Sequence, residues 1–113
     1  MTFPVQEVDK VTQAFPAKVK HLMPEWSSIP EEFHNGYTPY DKLFSACFYG
    51  GLSSLKLVPK EGIDQNKAWI HLRAIMGSYE PKHEHKQAAV AYLLSQWFEH
   101  AEWVTKDGAK GSF

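Results

Sequence analysis

Cysteine is almost missing from this chain: Cys47 stands alone. That excludes an intramolecular disulfide framework and fits a reducing compartment. Arginine is as scarce. Arg73 is the single arginine among 12 basic residues, which face 13 acidic ones for a net charge of −1. A binder of phosphate backbones concentrates positive charge, so this balance argues against nucleic acid as the main partner. No apolar run approaches the roughly 20 residues of a membrane-spanning helix. The stretch from Met1 to Glu7 also lacks the basic start and apolar run of a secretory signal. The expectation is a cytoplasmic protein, in a bacterial or infected cell, with no membrane partner.

Motifs that carry chemistry are missing too. Ser27, Ser28, Ser53, Ser54 and Ser78 have no G-x-S-x-G context to activate a hydroxyl. Gly50-Gly51 lacks the spacing and following lysine of a phosphate loop. Cys47 falls in an apolar stripe with Leu43, Phe44 and Phe48, the setting of a small core residue rather than a nucleophile. Glu31-Glu32 and the pair Glu99 and Glu102 read as solvated surface. No cofactor is expected, and there is no internal repeat or low-complexity tract.

What the sequence does have is rings: 4 Trp, 5 Tyr and 7 Phe in 113 residues. Large rings bury much area per residue ordered, so a chain this short can build one core without staples. Residues 1–104 are expected to form that single domain, with 105–113 as a loose tail.

Proline and glycine divide the chain into helical segments. After Pro4, the residues Val5, Val8 and Phe15 recur at helical spacing, and a short piece from Ala17 to Met23 follows. Residues 30–34 read as one helical turn in irregular chain. Thr38-Pro39-Tyr40-Asp41 is a helix start, with a hydroxyl cap, a first-turn proline and an acid at the positive dipole end. Tyr40, Leu43, Phe44, Cys47 and Phe48 then form a stripe up to Gly50-Gly51. Leu55 and Leu57 alternate with polar neighbours as in a strand, but no second strand is evident, so 53–59 reads as an extended connector. Asp64 caps a helix running to Met76 and stopping at Gly77. Glu80-Pro81 opens the last helix, expected over 83–104.

The resulting expectation is an all-α fold, a small bundle of four to five helices packed around the long C-terminal helix. At 100° per residue, Val90, Leu93, Leu94, Ala101 and Val104 fall within roughly 60° of Trp97. Only Ala88, Ser95, Glu99 and Glu102 occupy the polar strip, too narrow for one-sided packing. The last helix is therefore either wrapped by the others or leaves Tyr92 and Trp103 as an interface.

Histidine is the other conspicuous residue. His83 and His85 flank Glu84, but two residues apart on a helix they point to nearly opposite faces. A metal site would need that segment non-helical and a third ligand such as His71 or His100. The simpler reading is no metal, with His83 and His85 in a solvated first turn and His100 a hydrogen-bonded histidine beside Trp97 and Trp103.

Residues 24–41 hold Glu25, Glu31, Glu32 and Asp41 with no Lys or Arg; the simpler reading is scattered solubilising charge, and the alternative is a loop that steers a basic protein partner. The same stretch carries Trp26, Ile29, Phe33, Tyr37 and Tyr40, rings either pinned on the core or offered to a partner.

The segment from Gly62 to Phe98 carries Gly62-Ile63-Asp64 at one helix start and the run from Pro81 through His83, Glu84 and His85 to Leu93 at the next. It resembles small phage- or prophage-encoded proteins of unknown function. That resemblance implies a bacterial cytoplasm and an accessory or host-interacting role rather than a metabolic one.

The expected function is thus a non-catalytic interaction module. It would bind another protein or itself through Trp26, Phe33, Tyr92 and Trp103. The alternative is a small metal-dependent or acid–base enzyme using His83, His85 and His100. A third is weak nucleic-acid binding through Lys56, Lys60, Lys67, Arg73 and Lys82.

Overall fold

A computed structural model describes residues 23–79 and 82–113. The helices expected over 5–15 and 17–23 lie outside the described residues, Met23 apart. Two single 3₁₀ turns, Trp26–Ser28 and Glu31–Phe33, come first. They lead to helix α1 (Pro39–Ser45), strand β1 (Leu52–Pro59), helix α2 (Gln65–Met76) and helix α3 (His83–Trp97). Strands β2 (Phe98–Thr105) and β3 (Lys110–Ser112) complete the chain. The strands form one antiparallel sheet in the order β1-β2-β3. The expected all-α bundle is therefore overturned: among the described residues, three helices pack with a three-stranded sheet in a mixed α/β fold.

The helix starts follow from local chemistry. The Asp41 carboxylate accepts from the Thr38 backbone N–H at 3.0 Å and from the Thr38 hydroxyl at 2.6 Å. That tie closes the first turn of α1 and uses the acid where the dipole favours it. The Asp64 side chain likewise accepts from the Lys67 N–H at 3.0 Å to cap α2. Both expected caps are in place.

The last helix departs from expectation, ending at Trp97 rather than at 104. Phe98 is extended, with φ −123° and ψ 139°, and the chain passes into β2 without a loop. Two donors from Lys60, just past β1, stabilise this break. The Lys60 N–H reaches the Trp97 carbonyl at 2.8 Å and its ammonium reaches the Ser95 carbonyl at 2.7 Å. Carbonyls orphaned by the end of the helix thus find partners. The strand that 53–59 seemed to lack is the segment expected to be the last turns of this helix. Leu57 lies opposite Ala101, Leu55 opposite Trp103, and Pro59 opposite Phe98.

The register shifts between Val58 and Pro59, whose partners are His100 and Phe98, so Glu99 is an extra residue in β2. Strict alternation would put Phe98 on the face of His100 and Glu102. The bulge instead turns Phe98, Ala101 and Trp103 inward together, all buried, and leaves Glu99 and Glu102 exposed.

The tail expected to be loose carries the third strand. At the turn, Gly108 adopts φ +94°, the Thr105 hydroxyl donates to the Asp107 carboxylate, and the Thr105 N–H donates to the Ala109 carbonyl at 2.8 Å. The Phe113 N–H then donates to the Ala101 carbonyl at 3.1 Å.

Helix α3 is the centre of the fold, packing against both α1 and α2. From Ala88 to Leu94 every residue is buried, including Ala88, which the helical reading placed in the polar strip. Alanines at 88, 89 and 91 let neighbouring elements approach closely on several sides. Lys86 is buried as well. Its ammonium donates to the Ser78 carbonyl at 2.9 Å and the Met76 carbonyl at 3.4 Å, so it serves as a cap on the end of α2.

Candidate functional site

The four residues expected at an interface separate into two environments. Phe33, Tyr92 and Trp103 are buried. The Phe33 ring lies 5.5 Å from Tyr92 and 6.2 Å from Tyr40; Tyr40 in turn sits 4.7 Å from Phe113, which is 6.3 Å from Trp103. These rings form a chain through the interior that joins the N-terminal loop, α1, α3 and the sheet. Trp26 stays at the surface, stacked on His34 at 4.0 Å with its edge toward His85 at 6.1 Å. In the acidic loop Glu25, Glu31 and Glu32 are exposed, whereas Asp41 is buried as the α1 cap.

The histidines do not converge. The His85 Nε2–H donates to the Pro24 carbonyl at 2.8 Å, pinning the loop to α3. The His100 Nδ1–H donates to the Phe113 carbonyl at 2.6 Å, and its Nε2 lies 3.6 Å from the Glu102 carboxylate. Its role is to tie the chain end to β2. His71 is fully buried, with its ring 5.2 Å from Trp97. Among the described residues, no group of three or more His, Cys, Asp and Glu side chains is placed to hold a metal ion.

His83 has a different setting, and it marks the most distinctive surface. After Ser45, α1 widens into a single π turn, Ala46–Gly50, before Gly51 turns the chain at φ +69°. A π turn shifts the faces of a helix and recurs at functional positions. Here it directs Phe48 and Tyr49 outward, 43% and 72% exposed. Neither ring hangs free. The His83 ring lies 5.0 Å from Phe48 and 5.9 Å from Tyr49, and its Nε2 is 3.1 Å from the Tyr49 hydroxyl. The Lys86 ammonium sits 5.1 Å from the Phe48 ring centroid, a cation–π contact. Because that ammonium also holds the Ser78 carbonyl, the next residue, Tyr79, belongs to the same end of the molecule; it is 89% exposed. Tyr49 and Tyr79 carry no signal in helical periodicity. The nearest clue is Phe48-Tyr49 set directly before Gly50-Gly51, where a fraying helix releases its last side chains.

Beside this aromatic end lies a cleft of about 440 Å³. Cys47, Phe48, Gly51, Arg73 and Lys106 are among the residues lining it. Burial pushes the Cys47 thiol up to about 11, with the Arg73 charge acting weakly in the opposite direction. The thiol is therefore protonated near neutrality and is not poised as a nucleophile.

Comparison with protein-family models, curated proteins and solved structures finds no match to this chain. Among the described residues, no helix is long and apolar enough to cross a membrane.

Proposed function

We propose that this chain is a non-catalytic protein-binding module that works through the aromatic end formed by Phe48, Tyr49 and Tyr79. The observation that carries the reading is the pairing of exposure with fixation. Phe48 and Tyr49 face solvent yet are held by His83 and Lys86. Rings held in place before binding lose little entropy when a partner covers them, which is the economy of interface anchors. Of the residues first expected at an interface, Phe33, Tyr92 and Trp103 serve the core instead, and Trp26 remains outside this cluster.

The test compares the wild type with a Tyr49→Ser, Tyr79→Ser double variant, both positions being exposed enough to change without unfolding the chain. Sedimentation across concentration reads self-association. Affinity capture from a bacterial lysate, quantified for both proteins, reads binding to another partner. The expected outcome is one association, to itself or to a partner, that the double variant weakens at least roughly tenfold. Associations that are absent from the wild type, or equal in both proteins, would sink the reading.

A further inference from the structure

The cleft beside the aromatic end has a chemistry of its own. Its walls come from the π turn after α1, the end of α2, and the chain near Gly51 and Lys106. Among the described residues that line it are two cations, Arg73 and Lys106, and no aspartate or glutamate. Among the described residues neither cation takes part in an ion pair. In a chain of net charge −1, two cations at one concavity with no carboxylate partner among the described residues are a departure that needs a reason.

The surrounding structure supports both. Lys106 is held through its backbone, whose N–H donates to the Gly51 carbonyl at 3.3 Å. Its stem lies over Gly51, where an added Cβ would come within 3.3 Å of the Lys106 Cε. Arg73 stands in the last turn of α2, where the helix dipole favours a cation. The same dipole would repel an anion brought to this end of α2. The Lys86 ammonium offsets that repulsion from behind by taking the Met76 and Ser78 carbonyls. Cys47 adds no competing charge, since its thiol stays protonated.

We infer that this cleft binds a small molecule carrying a phosphate-class dianion, with Arg73 and Lys106 as its two charged contacts. A planar guanidinium beside an ammonium suits an acceptor with several oxygens better than a single carboxylate. The volume, about 440 Å³, falls in the roughly 300–1,000 Å³ range of small-ligand sites. A nucleic-acid strand is disfavoured because several of the other described cations are already engaged. The Lys60 ammonium is held on the Ser95 carbonyl, Lys86 is interior, and Lys56 lies opposite Glu102 in the sheet. Phe48 adds an apolar side chain to the cleft wall, beside whatever the phosphate is attached to.

The test is an amide-shift titration by NMR with pyrophosphate, run beside succinate and a short oligothymidylate at matched ionic strength. Saturable shifts are expected at Gly51, Gly77 and Lys106 with pyrophosphate. Arg73→Gln or Lys106→Gln should each weaken binding roughly tenfold, and the double variant should abolish it, as expected for charged hydrogen bonds. Both side chains are exposed, so the variants should keep the wild-type spectrum elsewhere. The inference is overturned by an absence of saturation, by shifts scattered over other lysines, or by equal binding to the double variant. It is also overturned if succinate or oligothymidylate binds as tightly as pyrophosphate. Tyr49 and Tyr79 do not line the cleft, so this outcome is independent of the aromatic-end variant.

Discussion

The Trp103 indole occupies the space where Gly111 would carry a side chain. The two residues are direct partners across β2 and β3, and a Cβ built on Gly111 would fall among the indole atoms. A short end strand with one inward position has little to bury by itself. Covering the glycine with a ring from its neighbour gives β3 its apolar contact.

Gly111→Ala should therefore act as an overpacking change, destabilising by about 1–3 kcal/mol. Urea unfolding followed by tryptophan fluorescence measures it. A Trp103→Leu, Gly111→Ala double variant should lose less than the sum of its single variants, because the smaller side chain leaves room for the methyl group. Strict additivity would show that the two positions do not share this space.

The Trp103 strand also explains what the sequence conceals. Bulged at Glu99, β2 buries Phe98 and Ala101 and exposes Glu99 and Glu102. Both spacings are three residues, the interval of a helix face, so a bulged strand continues the pattern of α3 without a break. Neither glycine nor proline marks the junction at Trp97. The ring at 98, the β-branched Val104 and Thr105, and the Asp107-Gly108 turn signal were the available clues, and they point to a hairpin. The starts of α1 and α2, by contrast, are legible because Thr38, Asp41 and Asp64 act within one turn of chain. The aromatic end was hidden for another reason. Tyr49 and Tyr79 owe their placement to a π turn and to a lysine contact from α3, neither of which periodicity records.

Lys86 joins α3 to the end of α2, and its removal tests that link. Lys86→Met keeps much of the buried stem but leaves the Met76 and Ser78 carbonyls without the ammonium, and it removes the cation beside Phe48. A cost of about 1–3 kcal/mol is expected, the usual penalty for orphaned buried acceptors. Thermal unfolding gives the loss. A stability equal to wild type would show that other donors replace the ammonium.

Lys60 guards the helix-to-strand switch from the other side. Lys60→Met removes the ammonium from the Ser95 carbonyl while its backbone N–H remains free to reach Trp97. The expected loss is smaller, about 1 kcal/mol, because this bond is exposed to solvent. It should be local. The Phe98 N–H, bonded to the Leu94 carbonyl, should exchange with deuterium faster while amides in the middle of α2 hold their rates. Uniform acceleration across the chain would mean global destabilisation instead.

Cys47 gives a prediction in pH. Its thiol is raised from 9.0 to about 11, mainly by burial. The thiolate fraction in neutral buffer is therefore lower than that of an exposed cysteine. Greater intrinsic nucleophilicity offsets part of that loss, leaving alkylation by iodoacetamide roughly tenfold slower. The rate should keep climbing with pH past 9.0 and level only near 11. Stability follows the same group with a definite sign. Between 9.0 and about 11 the unfolded chain gives up this proton before the folded one does, so the contribution is intact below 9.0 and falls as pH rises toward 11. Arg73→Gln removes the charge that opposes burial, so it should move the plateau higher still and slow alkylation at every lower pH. A plateau near 9.0 in the wild type, or an Arg73→Gln profile that overlays it, would show that the thiol faces solvent and that Arg73 does not act on it.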